Sequence, residues 1–235
     1  MSDKSNNATQ QTENQSLNYQ NLFWLFMIAN VIGVIMEGVW TIYKFHRWET
    51  HVNSIWGPFC FIYGIGAVIF YIGSVKLKNR NFLIQFVVFA LAADVVEYFS
   101  SLLIEETLGM KAWTYHKHFM NLQGRISLPM TIIWGITGIT YLHLLEPRIY
   151  RLFKKMQGKA WKVACIALSA FMVVNIAATA MCLVRWSQRH KGIPASNKVE
   201  EFIDSKYDDD RMRHLFCEWW FIDEGEEFWA EYKKK

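Results

Sequence analysis

Four stretches of the chain run for about twenty residues with almost no charge, and short polar segments separate them. Residues 22–43 carry one carboxylate, Glu37, and no lysine or arginine before Lys44. Residues 55–75, 126–145 and 163–184 carry no charged residue at all. A further stretch, 81–104, is apolar apart from Asp94 and Glu97. A bilayer's hydrocarbon core needs roughly 20 apolar residues of helix to cross it, so each stretch reads as a span. The pattern predicts an all-α, polytopic membrane helix bundle of about five transmembrane helices, with a short soluble helical tail.

The flanks set the organisation. Residues 1–21 are polar and rich in Asn and Gln, with a single lysine, and read as a disordered N-terminal segment. The first span is too long for the h-region of a cleaved signal peptide. The bundle covers 22–189, and an acidic, aromatic-rich tail covers 190–235. Pro58 suits the first turn of the second span. The fourth span begins near Ser127–Pro129 and stops before Pro147, and a basic loop follows from Arg148 to Lys159. In the tail, Ala195-Ser196-Asn197 fits a cap for a helix from Lys198 to about Tyr207. Beyond it Phe216, Trp219, Trp220, Phe221, Phe228 and Trp229 alternate with acidic residues, a composition that suits a membrane surface or packing on the bundle.

Charge and cysteines narrow the classes. The net charge is +4, but residues 1–189 carry 17 Lys/Arg against 9 Asp/Glu, while 190–235 carry 8 against 12. A basic body with an acidic tail, and no basic run interleaved with aromatics, excludes a nucleic-acid groove. The four cysteines form no C-x-x-C pair, so neither a zinc knuckle nor a disulfide framework is indicated. His116-x-His118 is a weak metal signal, so no metal and no cofactor is assigned. Five spans place the basic loops 76–80 and 148–159 on the N-terminal side, which the positive-inside rule makes the inner side, while Arg185, Arg189 and Lys191 at the root of the tail argue the other way.

Candidate chemistry gathers at the opposite face, where loops 44–55 and 105–125 must both lie. Asn30, Gly33, Glu37, Trp40 and Lys44 step by three or four and share one helix face. Asp94, Glu97, Ser101 and Glu105 do the same on the third span. A carboxylate at mid-membrane costs about 2.5–3.5 kcal/mol, so it faces the bundle interior and finds a partner. The partner predicted at that depth is Arg125, at the opening of span four, whose planar fork donates to a carboxylate in bidentate fashion. Two readings follow: an ion network that holds helices in register, or a site for a solute or ion. The glycines at 57, 64, 66, 135 and 138 read as close-packing positions. Trp40, Trp56, Trp113 and Tyr115 read as an interfacial aromatic belt. Asn175 reads as an interhelical hydrogen bond.

At these residues the chain resembles a bacterial family of multi-spanning membrane proteins, the ABC-transporter permeases of the CmpB type. The matching residues are Gly33 and Glu37; Gly57-Pro58 with Tyr63-Gly64; Glu97-Tyr98 and Glu105; Trp113 and Tyr115; then Asn121, Gly124, Arg125 and Ile126, with Pro147 closing span four. The resemblance covers about residues 22–150. It implies that Glu37, Gly57, Pro58, Tyr63, Glu97, Tyr98, Glu105, Trp113, Tyr115, Asn121, Gly124 and Arg125 line a substrate-binding site. The departures are Val34, Phe61, Ala112 and Thr114, and Thr114 removes an acid from the loop.

The resemblance implies a permease or membrane subunit of a transporter in the cell membrane. The chain holds no Walker A sequence, so an ATPase would be a separate chain. Five spans are few for a complete pathway, which favours a homodimer or that ATPase subunit as partner, with the lipid bilayer around them. The alternatives are a membrane enzyme acting on a lipid or lipid-linked substrate, or a membrane scaffold docking through its tail. The residues supply no catalytic set that would make an enzyme the leading reading.

Overall fold

The computed structural model describes residues 17–225, and it is an all-α helical bundle with little strand. Residues 1–16 of the segment expected to be disordered, and Phe228 and Trp229 of the tail, lie outside the described residues; from Tyr19 that segment is helical instead, because the Asn18 side chain caps a helix there.

Helix α1 spans Tyr19–Phe45. The Asn18 side chain caps it by accepting from Asn21 N at 2.9 Å, so the helix starts three residues before the expected residue 22. It stops at His46, which turns left-handed at φ 58°. Helix α2 spans Phe61–Leu77 and α3 spans Phe82–Leu108. Asn81 caps α3, and Gln85 Nε2 closes the short α2–α3 turn by donating to the carbonyls of Leu77 and Arg80.

Helix α4 spans Leu128–Thr140 and runs through a π-helical turn, Tyr141–Leu145, into α5, Glu146–Lys155. The fourth span therefore does not end before Pro147. Proline cannot donate to the helical ladder and its ring crowds the carbonyl four residues back, and widening the turn before it relieves both. The stretch read as a basic loop is mostly this amphipathic α5. Helix α6 spans Lys159–His190. At 1.5 Å per residue its 32 residues reach about 48 Å, beyond a hydrocarbon core of about 30 Å. Among the described residues, four helical segments are long and apolar enough to cross a membrane: Tyr19–Lys44, Phe82–Leu108, Leu128–Lys155 and Lys159–His190. The apolar α2 is shorter.

Small residues let the helices close on one another. A side chain at Gly33 of α1 would strike the Tyr63 ring of α2, and one at Gly64 would strike Phe26 and Asn30. Gly135 and Gly138 do the same for α4 against Phe86 and Phe89 of α3. Gly66 meets nothing within 4 Å and has no such role. Phe70, Tyr71, Phe89, Tyr141 and Phe153 fill the core at the α2–α3 end.

Pro58 does not open α2. It lies in a folded loop before Cys60, the residue that precedes the helix. That loop turns at Gly57, whose φ of +78° is a conformation open to glycine. Non-helical backbone at membrane depth persists only where protein satisfies its polar groups. Here Asn53 Oδ1 accepts from Phe61 N at 2.6 Å, Thr179 Oγ1 accepts from Ile55 N at 3.1 Å, and Asn175 Nδ2 donates to Trp56 O at 2.9 Å. Asn175 thus ties α6 to a loop rather than to a helix.

The tail packs on the body. Asn197 caps α7, Lys198–Lys206, by accepting from Val199 N and Glu200 N, as the sequence signal predicts. Helix α8 spans Asp209–Leu215. Strand β1, Met110–Lys111, follows α3, and β4, Trp220–Phe221, pairs with it antiparallel. A bridge joins His51 to Phe216. Loops from both the α1–α2 and α3–α4 connections therefore meet the tail at one end of the bundle. Trp186 of α6, 1% exposed, centres an apolar cluster with Met110, Met212, Phe216 and Phe221. Arg185 and Arg189 clamp it through Asp204 at 2.6 Å each, and the Arg185 guanidinium holds the Asp204 carboxyl below the usual aspartate range.

Candidate functional site

The α3–α4 connection forms a small built loop. Strands β2, Asn121–Leu122, and β3, Ile126–Ser127, make a hairpin whose turn is Gln123, Gly124 and Arg125. Asn121 shapes it from within: its Nδ2 donates to the carbonyls of His116 and His118 at 3.1 Å, and its Oδ1 accepts from Gly124 N at 3.0 Å. Gly124 sits at φ +70° under the His116 ring, and its carbonyl accepts from Tyr115 N at 2.7 Å. Asn121 and Gly124 are therefore the loop's framework. Trp113 Nε1 donates to Arg125 O at 3.2 Å, so this tryptophan braces the hairpin instead of standing in an exposed belt.

Arg125 lies in the hairpin turn, 7% exposed, and not in the first turn of a helix. Its NH2 reaches Glu105 Oε2 at 2.7 Å, its NH1 donates to Gln123 Oε1, and its guanidinium lies 5.5 Å from the Tyr98 ring centre. Tyr98 in turn donates to Gln123 Oε1 at 3.0 Å. The expected pairing of Arg125 with Glu37 and Glu97 is not what the fold makes. Glu105 lies two helical turns beyond Glu97, nearer the end of α3 where the hairpin begins, and it takes the cation first.

Glu37 and Glu97 are held by tyrosines instead. Tyr63 of α2 donates its hydroxyl to Glu37 Oε1. Tyr115 donates to Glu97 Oε1 at 3.0 Å. Burial above all, then Glu97, then Glu37 and Asp94, push the Tyr115 hydroxyl above the ordinary phenol range, so it stays a donor. One turn along α3, Asp94 faces Thr131 of α4, whose Oγ1 lies 2.8 and 3.0 Å from its two oxygens. Asp94 and Glu97 are each 8% exposed. Among the described residues none of Glu37, Asp94 and Glu97 forms an ion pair with Lys or Arg, and Arg125 is committed to Glu105. The result is an acidic, tyrosine-lined seam between α1, α2, α3 and α4, capped on the loop side by the Glu105–Arg125 pair. A groove lined by Asp94, Tyr98, Phe99, Leu122 and Ile126 opens beside it.

Two predicted residues stay outside this seam. Gly57 and Pro58 are exposed, in the loop held by α6. Trp40 and Trp56 are 54% and 40% exposed, as belt residues would be, although Trp56 Nε1 also donates to Tyr207 at 2.9 Å. The residues implied by the family resemblance do not include Asp94, Thr131 or Gln123. Asp94 was legible from its spacing of three from Glu97; Thr131 and Gln123 carry no signal until the hairpin places them.

Fold and seam together define a multi-spanning helical membrane protein with two tyrosine-held carboxylates, Glu97 buried and Glu37 half-buried, at one end of the bundle. The chain belongs to the family described as Putative ABC-transporter type IV, of the CmpB type, whose profile matches residues 24–180. That match runs from α1 into α6 and includes every residue of the seam, while the docked tail lies beyond it. Nothing matches the chain among curated proteins or among solved structures.

Proposed function

We propose that this protein is the membrane-embedded permease subunit of a transporter, and that the seam is where its solute binds. The observation that carries the reading is the pairing of Glu37 with Tyr63 and of Glu97 with Tyr115, with Arg125 drawn off by Glu105. Intramembrane carboxylates are costly to insert and mark solute or ion pathways where they gather. A purely structural network would neutralise them, yet here Arg125 serves a third carboxylate, Glu105. Carboxylates backed by phenols favour a cationic solute or a coupling cation, which would meet Glu37 and Glu97 as Tyr63 and Tyr115 hold them in place. Gly57 and Pro58 belong to the neighbouring loop, whose position beside α1 and α6 suits a gate. Energy would come from an ATPase on a separate chain, and the acting unit would be that complex or a homodimer in the cell membrane.

The test is uptake by vesicles containing the chain with any ATPase that copurifies with it from its own membranes, against a panel of organic and inorganic cations. The E37Q/E97Q variant is expected to lose uptake while keeping its thermal stability. Equal uptake by variant and native protein, for every cation that accumulates, would remove the seam from the pathway.

A further inference from the structure

Where the tail docks on the α1–α2 loop, three metal-ligating side chains that take no part in the tyrosine pairs converge. Ligand atoms of Glu49, His51 and Cys217 all lie within 4.8 Å of one another. Two come from the α1–α2 loop and the third from the tail, and the His51–Phe216 bridge brings the segments together. His51 is 6% exposed, and neither ring nitrogen makes a hydrogen bond of ordinary geometry. Nδ1 lies 2.8 Å from Glu218 Oε2, but out of line for a hydrogen bond. Beyond that contact with Glu218, the buried imidazole recovers none of its lost solvation through hydrogen bonds. A metal ion is the group that would satisfy it.

We propose that Glu49, His51 and Cys217 bind a zinc ion that fastens the C-terminal tail to the α1–α2 loop. Thiolate with imidazole selects zinc over magnesium or calcium, which prefer all-oxygen sites. Zinc bonds of about 2.0–2.3 Å place tetrahedral ligands roughly 3.4 Å apart, so the three need to draw in by an ångström or so. The Cys217 thiol donates to Thr50 O at 3.1 Å. On binding, the S–H bond breaks, the sulfur's electron pair goes to the metal, and the proton leaves to solvent. Glu218, 44% exposed at the rim, offers a further carboxylate, and water completes the set otherwise. The site is structural in placement. The loop it holds continues into the Asn53–Cys60 segment that α6 grips, so the metal couples tail docking to the position of that segment.

The full-length chain in detergent, stripped with a chelator, would be titrated with Zn²⁺ and separately with Co²⁺. One equivalent of Zn²⁺ per chain and a near-ultraviolet thiolate-to-cobalt absorption band are expected. Cys217→Ser should abolish the band and weaken Zn²⁺ binding at least tenfold, and Glu49→Gln should weaken it while keeping the band. Native protein provides a reading that needs no variant. Cys60, Cys165 and Cys182 are buried, so alkylation located by mass spectrometry reports Cys217, and Zn²⁺ should slow it at least tenfold. Unchanged alkylation with Zn²⁺, or stoichiometric Zn²⁺ binding that survives Cys217→Ser and is lost in His118→Ala, would overturn the site.

Discussion

The reassignment of Arg125 from Glu37 and Glu97 to Glu105 can be tested by double-mutant cycles. The Arg125 side chain is 8% exposed and that of Glu105 is 24% exposed, with 2.7 Å between NH2 and Oε2. A hydrogen bond to a charged group contributes about 1.5–3 kcal/mol. Partial exposure of Glu105 screens the pair, which sets the expected coupling near 2 kcal/mol, roughly a 30-fold change in an equilibrium constant. Arg125→Met, Glu105→Gln and their double variant would be unfolded reversibly by denaturant titration in mixed micelles. The same cycle would be run for Arg125→Met with Glu97→Gln. There Tyr115 takes the carboxylate, so a coupling below about 0.5 kcal/mol is expected, as for residues without a shared bond. Glu105→Gln alone should cost more than Arg125→Met, because it strands a buried guanidinium, whereas the more exposed Glu105 can rehydrate. A larger coupling of Arg125 to Glu97 than to Glu105 would refute the geometry and restore the simpler pairing inferred from depth along the helices.

Other consequences are open to measurement. Gly33→Ala should drive Cβ into the Tyr63 ring and cost about 1–3 kcal/mol by overpacking, read as a lower unfolding midpoint, whereas Gly66→Ala should be neutral or better. Asp204 is held below the ordinary aspartate range, so its pairing stabilises tail docking above the unfolded-state value and is lost as pH falls through the lower folded-state value. Proteolysis of the Gly192–Asn197 linker should therefore stay slow at pH 5 to 7 and accelerate only below about pH 4, and a rise already at pH 6 would point to a different lock. Single cysteines at Lys78 and Lys117 should be labelled from opposite sides of the membrane; labelling of both from one side would break the five-span topology.

The sequence by itself determined the class. Uncharged stretches of about twenty residues leave a chain no option but helices in a bilayer, because only an internal hydrogen-bond ladder satisfies the backbone there. Helical spacing also placed Glu37 and Glu97 on inward faces, and the order of the elements placed their loops at one end. What spacing along one helix cannot say is which partner on another helix arrives first. Glu105 and Arg125 meet because the Asn121-stapled hairpin points the arginine at the end of α3. Tyr63 and Tyr115 then take the carboxylates left over, and Pro58 falls in a loop because Asn53, Asn175 and Thr179 satisfy a non-helical backbone there. The convergence of Glu49 and His51 with Cys217, some 170 residues later in the chain, likewise exists only once the tail has docked. Helix formation depends on local pattern, whereas pairing of polar groups depends on the three-dimensional competition among all the groups that can reach, and that competition was decided by the tertiary structure.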